Sequence, residues 1–299
     1  NCTTQQTTRM NRLACGVLIA VGLFALYFAA LGGPPLLDPD EPIYGQVAKE
    51  MARGGGWLTP HYAGHVWFDK PPLFYWTSGI CVKLFGPTEL ACRLPSAVLA
   101  VGLALLVYAL ARYDFGRRAG VISAIVMATC LQQIVLARAA VTDMTLVFCL
   151  TAGLYAYRRW LDDNRLPRFG WMAICGTMTG LGMLAKGPVA PVLLGTAIII
   201  HLIWTRRIKR LASADAALGT VAMLAVGLPW YIAMYMIHKD AFVQGFLVAN
   251  NLSRFLKPEN AAQSGHWYSC LANFPVLLIL FLPWSVFLPQ AIARSWRVN

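Results

Sequence analysis

The stretch from Leu90 to Ala137, LACRLPSAVLAVGLALLVYALARYDFGRRAGVISAIVMATCLQQIVLA, decides the fold class. It holds two apolar runs, Leu90–Leu110 and Ala119–Ala137, on either side of a short loop that carries Arg112, Arg117 and Arg118. Each run has about 20 residues, the length a helix needs to cross the hydrocarbon core of a bilayer. Arginines between two such runs mark a loop on the cytoplasmic side. The pair therefore predicts a transmembrane helical hairpin.

The same pattern extends along the chain. Further apolar runs lie at Leu13–Leu31, Met144–Trp160, Phe169–Ala185, Val189–Trp204, Ala216–Ile237 and Leu271–Pro289. The first follows Arg9 and Arg12 and has no clean small-residue cleavage site, so it reads as a retained signal anchor. Composition agrees, because 13% of residues are charged against about 25% in soluble domains. The expectation is an all-α polytopic membrane protein of about eight spanning helices, the shorter ones tilted or in thinned bilayer.

Charge sets the orientation. The net charge is +12, but the basic residues come in clusters. One set of loops holds Arg9, Arg12, Arg112, Arg117, Arg118, Arg158, Arg159, Arg165, Arg168, Arg206, Arg207, Lys209, Arg210, Arg294 and Arg297. These fifteen face four acids, Asp114, Asp162, Asp163 and Asp215, whereas the alternate loops hold ten basic residues and nine acids. The positive-inside rule makes the first set cytoplasmic and puts both ends inside. Clusters dispersed among apolar runs exclude a nucleic-acid partner, which needs one basic face. The eight cysteines form no CxxC pair, so neither a zinc ribbon nor a redox motif is indicated. No Walker loop or GxGxxG turn is present, which excludes nucleotide hydrolysis on this chain.

Two large segments fall on the outer side, residues 32–89 and 238–270. In the first, Pro42 to Arg53 reads as a short helix, with Pro42 in its first turn. Asp40 and Glu41 stand at its N-terminus, where negative charge is favoured, and Gly54 to Gly56 end it. Pro72 to Phe85, with Phe74, Tyr75 and Trp76, reads as a juxtamembrane stretch lying in the interface.

The first outer segment concentrates candidates for chemistry. Asp38, Asp40 and Glu41 repel one another unless a cation or basic group compensates them. They suit a general base or a metal ligand, and equally a hydrated cap on a helix start. Trp57, Trp67, Phe68, Asp69 and Lys70 in the same loop favour a lined pocket. Asp143 lies between apolar runs, as a functional acid or as the structural partner of Arg138. Lys186, before Gly187 and Pro188, reads as a phosphate-binding point charge or a snorkelling lysine. Arg254 could clamp a phosphate with its two-pronged guanidinium. His266 stands between a ligand and a structural residue. All of them share one side of the membrane. Carboxylates beside Lys and Arg at a bilayer edge suit a lipid-linked phosphate substrate.

With those residues in view, the chain resembles the GT-C membrane glycosyltransferases, in the branch of aminoarabinose transferase and protein O-mannosyltransferase (PMT). The resemblance rests on Asp40-Glu41-Pro42-Ile43-Tyr44, Phe68-Asp69-Lys70-Pro71-Pro72, Arg138 with Thr142-Asp143, and Leu184-Ala185-Lys186-Gly187. Arg254-Phe255 and the later Pro283-Trp284 fit as well, in family order. It implies a GT-C-type transmembrane bundle with short juxtamembrane helices in the first periplasmic loop. It implies Asp40 as the catalytic carboxylate, with Glu41 and Asp143 in support. It places Lys70, Tyr44, Arg138, Lys186 and Arg254 around the donor and its phosphate. Asp69 becomes the position of a divalent metal ligand, the metal's identity being open. Ile43, Trp67 and Asn251 stand where relatives tend to have Arg, Tyr and a metal-binding His. Relatives also continue into further helices and a periplasmic domain, which this chain is expected to lack.

The expected activity is inverting transfer of a sugar from a polyprenyl-phosphate donor to a lipid or glycan acceptor. It would take place on the periplasmic face of the bacterial inner membrane. Protein Ser/Thr is the alternative acceptor. A transporter or flippase for a lipid-linked or anionic substrate is the rival reading. Such a protein would carry charges at mid-membrane and inverted repeats; no repeat is visible and the acids cluster at one surface.

Overall fold

The computed structural model describes residues 21–22, 24–37, 39–54, 56–162, 168–253 and 268–298. Most of the expected first helix, Asp38, Arg254 and His266 lie outside these residues. The expected runs coincide with helices: α3 (Glu89–Phe115), α4 (Arg117–Thr129) with α5 (Leu131–Ala137), α6 (Thr142–Asp162), α7 (Arg168–Lys186), α8 (Val189–Trp204), α9 (Ala214–Phe242) and α10 (Tyr268–Leu280). Ahead of them come α1 (Asp40–Ala52) and α2 (Leu73–Phe85), and α11 (Leu288–Val298) ends the chain.

Among the described residues, α3 and the stretch Ala214–Asn250 are long and apolar enough to cross a membrane alone. The run expected as one helix at Ala119–Ala137 is two helices bent by 63° at Cys130. The run at Leu271–Pro289 is likewise broken, with a bend of 111° before Trp284. Pro283 lacks an amide proton for the helix ladder, and this interrupts it. α9 is broken at Lys239, a non-glycine residue with φ of 46°, and gives way to a π-helical stretch, Val243–Ser253.

Close backbone approach joins the central helices. α7 meets α9 at Gly176, where an added Cβ would sit 1.8 Å from the Gly219 carbonyl oxygen. Small residues at such a crossing let the two backbones touch, which is how helices gain packing energy where lipid removes the hydrophobic drive.

The short outer helices form where the sequence puts them. α1 starts at Asp40, has acids in its first turn and Lys49 in its last, and stops before Gly54, whose φ is +103°. α2 starts after Pro72 and buries Phe74 and Tyr75 while Leu84 and Phe85 stay exposed. One element is not expected from the sequence. Between the helices, β1 (His61–Tyr62) pairs antiparallel with β2 (His65–Val66). Ala63 and Gly64 both have positive φ, as a tight hairpin requires. The Glu50 carboxylate accepts from both of their amides, at 2.9 and 3.2 Å.

Candidate active site

The candidate site begins at the first turn of α1. Asp40 is exposed there. Glu41, the next residue, turns inward and is 4% exposed. Its carboxylate receives both prongs of Arg93, at 3.0 and 2.8 Å. It also accepts from the amides of Ala140 at 2.6 Å and Leu37 at 3.3 Å. Arg93 spends its remaining donors on the carbonyls of Leu31, Pro34 and Pro35. One buried ion pair thus ties together the residues leaving the first helix, α1, α3 and the turn before α6. Burial alone would raise the Glu41 pKa, but Arg93 and the two amides outweigh it and hold the carboxyl below its ordinary range.

Below α1 lies an aromatic floor. Tyr44 packs edge-on against Phe74 and Tyr75, with ring centroids 6.1 and 5.8 Å apart. Ala140 and Val141 join the same core, and Trp67 packs on its margin. Successive residues of an extended chain point to opposite sides. Accordingly Phe68 leaves Trp67's core for another, meeting His238 at 5.2 Å and Phe242 at 5.5 Å. Asn250, in the π-helical stretch, donates to the Phe68 carbonyl at 3.1 Å. Asp69 and Lys70 follow at once, paired at 3.0 Å with both side chains largely covered. Anchoring the chain in two cores just before these residues fixes where they stand.

The third part comes from helix ends. Asp143 is in the first turn of α6 and Lys186 in the last turn of α7. Each charge complements its own helix dipole, and the two pair at 2.5 Å. Both side chains are partly exposed.

These positions revise several expectations. Asp143 takes Lys186 as its partner, not Arg138. Arg138, expected at the donor phosphate, donates instead to the carbonyls of Leu26 and Ala29, at 3.1 and 2.9 Å. That is the way a basic side chain satisfies carbonyls left open at a helix C-terminus. Glu41, expected beside the base, is buried and engaged on both oxygens. Arg93 was missed altogether. A lone Arg within an apolar run was the available signal, since charge at membrane depth is costly and is kept for a reason. For the expected metal, no three His, Cys, Asp or Glu side chains converge among the described residues. Asp69, with one oxygen on Lys70, stands as a single donor.

This geometry can be set beside known proteins. A family model described as dolichyl-phosphate-mannose-protein mannosyltransferase matches residues 69–258. The chain belongs to this family. The mannosyltransferase match opens on Asp69 itself and runs through Lys70, Arg93, Asp143 and Lys186. A relative from Erwinia tasmaniensis, undecaprenyl phosphate-alpha-4-amino-4-deoxy-L-arabinose arabinosyl transferase, is 32% identical over 92% of this chain and 50% of its own length. One of the same description from Pseudomonas fluorescens is 31% identical over 97% of this chain and 50% of its own length. The chain therefore spans about half the length of the curated relatives it matches. Among solved structures, ArnT from Cupriavidus metallidurans bound to undecaprenyl phosphate superposes with a TM-score of 0.82 and 26% identity. That match covers 93% of this chain and 50% of the other. The yeast protein O-mannosyltransferase Pmt1–Pmt2 complex gives 0.58 at 20% identity, a likeness of fold, over 77% of this chain and 34% of the other. The fold is the helical GT-C type, polytopic in the membrane.

Proposed function

We propose that this family member transfers a sugar from a polyprenyl-phosphate donor to an envelope lipid or glycan on the periplasmic side of the inner membrane, with inversion at the anomeric carbon. The observation that carries the reading is the division of labour at α1: Asp40 exposed, Glu41 locked. A buried, fully bonded neighbour holds the helix start rigid, while Asp40 is exposed at the same turn, where an acceptor can reach it. In the reaction the acceptor oxygen attacks the anomeric carbon and the carbon–oxygen bond to phosphate breaks. Asp40 takes the acceptor's proton as general base. The phosphate keeps the bonding electrons, and Lys70 and Lys186 offset its growing charge. Glu41 and Arg93 keep the base in place, and such positioning is a large part of what an enzyme supplies. The relatives' descriptions support an undecaprenyl-phosphate donor and an aminoarabinose-like sugar. A protein hydroxyl is the second acceptor class, in keeping with the family model's description.

The test is transfer of sugar by the purified full-length protein from a polyprenyl-phosphate donor, followed by mass spectrometry of the acceptor. Wild type is expected to form product, and Lys70→Ala is expected to lose donor affinity. Movement of the lipid-linked substrate across vesicles without any product would overturn the reading in favour of a transporter.

A further inference from the structure

Tyr75 is the one large polar side chain of the aromatic floor with a role still to be assigned. Its side chain is fully buried, with 0% exposure. Its ring is clamped by Tyr44 and by Phe74, at 5.8 and 6.4 Å between centroids. Its hydroxyl nevertheless has no hydrogen-bond partner among the described residues. The indole nitrogen of Trp67 lies beside that hydroxyl, and it too is buried with no hydrogen-bond partner among the described residues. Buried polar groups are nearly always satisfied, and an exception calls for a missing partner. Two such donors side by side, at the foot of the site, call for the same one.

The surroundings say what kind of partner fits. Burial first, then the nearby Tyr44, Asp69 and Asp40, hold the Tyr75 hydroxyl well above the usual tyrosine range, so it stays a protonated donor. A buried hydroxyl kept neutral, next to an indole N–H, suits a neutral group rich in oxygen acceptors. Lys70 and Lys186, not Tyr75, are the groups suited to the phosphate. We propose that the Tyr75 hydroxyl donates a hydrogen bond to an oxygen of the sugar carried by the lipid-linked donor, making Tyr75 a specificity-determining residue. The proposal rests on the glycosyltransferase reading above.

Tyr75→Phe removes the hydroxyl and keeps the ring, so the floor should pack as before. Binding by the full-length variant is measured for two ligands, polyprenyl phosphate without sugar and the same lipid carrying the sugar. The sugar-free lipid is expected to bind within twofold of wild type, and the sugar-bearing one to weaken about tenfold. The melting temperature should hold, because the variant deletes an unpaired hydroxyl rather than a formed bond. A series of donors each lacking one sugar hydroxyl gives a second measurement. Wild type should lose affinity for one of them, and Tyr75→Phe should be indifferent to that same loss. Equal weakening of both lipids would assign Tyr75 to structure and overturn the proposal, as would no weakening of either. If the glycosyltransferase reading itself fails, wild type alone will show it by binding both lipids equally well.

Discussion

The two ends of α6 use charge in opposite ways. At the end where α6 begins, Glu41 and Arg93 pair across 52 residues of sequence and are each 4% exposed. Every donor and acceptor of that pair is used, and it welds four segments. At the end where α6 stops, Arg158 bonds Asp114 at 2.9 Å and, one turn along its own helix, Asp162 at 2.5 Å, with side chains 20–46% exposed. Beside it, Arg159 lies over the rings of Tyr113 and Trp171, at 4.8 and 4.7 Å, and Arg210 over Trp160 at 5.4 Å. The ion pairs there are partly exposed and the guanidinium groups rest on rings, an arrangement that suits anchoring at a headgroup layer. The buried pair suits fixing atoms in place. A buried pair broken on one side is far more damaging than an exposed one, because the abandoned charge has no water to return to.

The sharpest way to break this contrast is to remove one partner at each end. Arg93→Ala is expected to destabilise the protein by about 3–5 kcal/mol, leaving Glu41 buried and unpaired. Arg158→Ala is expected to cost about 1 kcal/mol or less. Melting in detergent micelles compares them, and equal shifts would erase the distinction.

Acid titration sharpens it further. Glu41 ionises more readily folded than unfolded, so its ionised form stabilises the fold. That contribution is whole above the ordinary value of 4.5 and is lost as pH falls through the lower folded value. Melting temperature should therefore drop below about pH 4.5 in wild type, and Glu41→Gln should lessen the drop while starting from a less stable protein. A variant that keeps the full acid drop would place the sensitivity elsewhere.

The Lys186–Asp143 pair lies between the two extremes, partly exposed where α6 begins. Lys186→Ala should cost about 1 kcal/mol or less in stability. Its larger effect should fall on donor-lipid affinity. Loss of stability with unchanged affinity would reduce the pair to a structural tie. The smallest effect belongs to the hairpin. Ala63 has φ of 52°, a region that costs a side chain roughly 1–2 kcal/mol. Ala63→Gly should raise stability by a fraction of this, as read by the same melting assay.

Much of this was legible in the sequence, for physical reasons that differ by residue. Apolar length located the helices, because bilayer thickness imposes it, and the clustering of Lys and Arg marked the loops between them. Local chemistry placed α1 and α2, whose starts carry Pro42 with its acids and Pro72. The bends at Cys130 and near Pro283 were not legible, since an apolar run reads the same straight or broken. Arg93 stayed hidden because its partner is 52 residues away, and hydropathy registers it only as a blemish. Arg138 reads as a partner of Asp143 or of the donor, whereas folding brings it to the carbonyls of Leu26 and Ala29. Tyr75 read as one more interfacial aromatic. That its hydroxyl is buried without a partner is a fact of packing, not of composition.

The central claim is that Asp40 reacts while Glu41 only holds. The most direct measurement is the single-turnover rate of sugar transfer by full-length Asp40→Asn, with donor-lipid affinity measured on the same preparation. The account predicts a rate lower by about 10²–10⁴-fold, with affinity and melting temperature close to wild type. A variant that transfers sugar at the wild-type rate would contradict it.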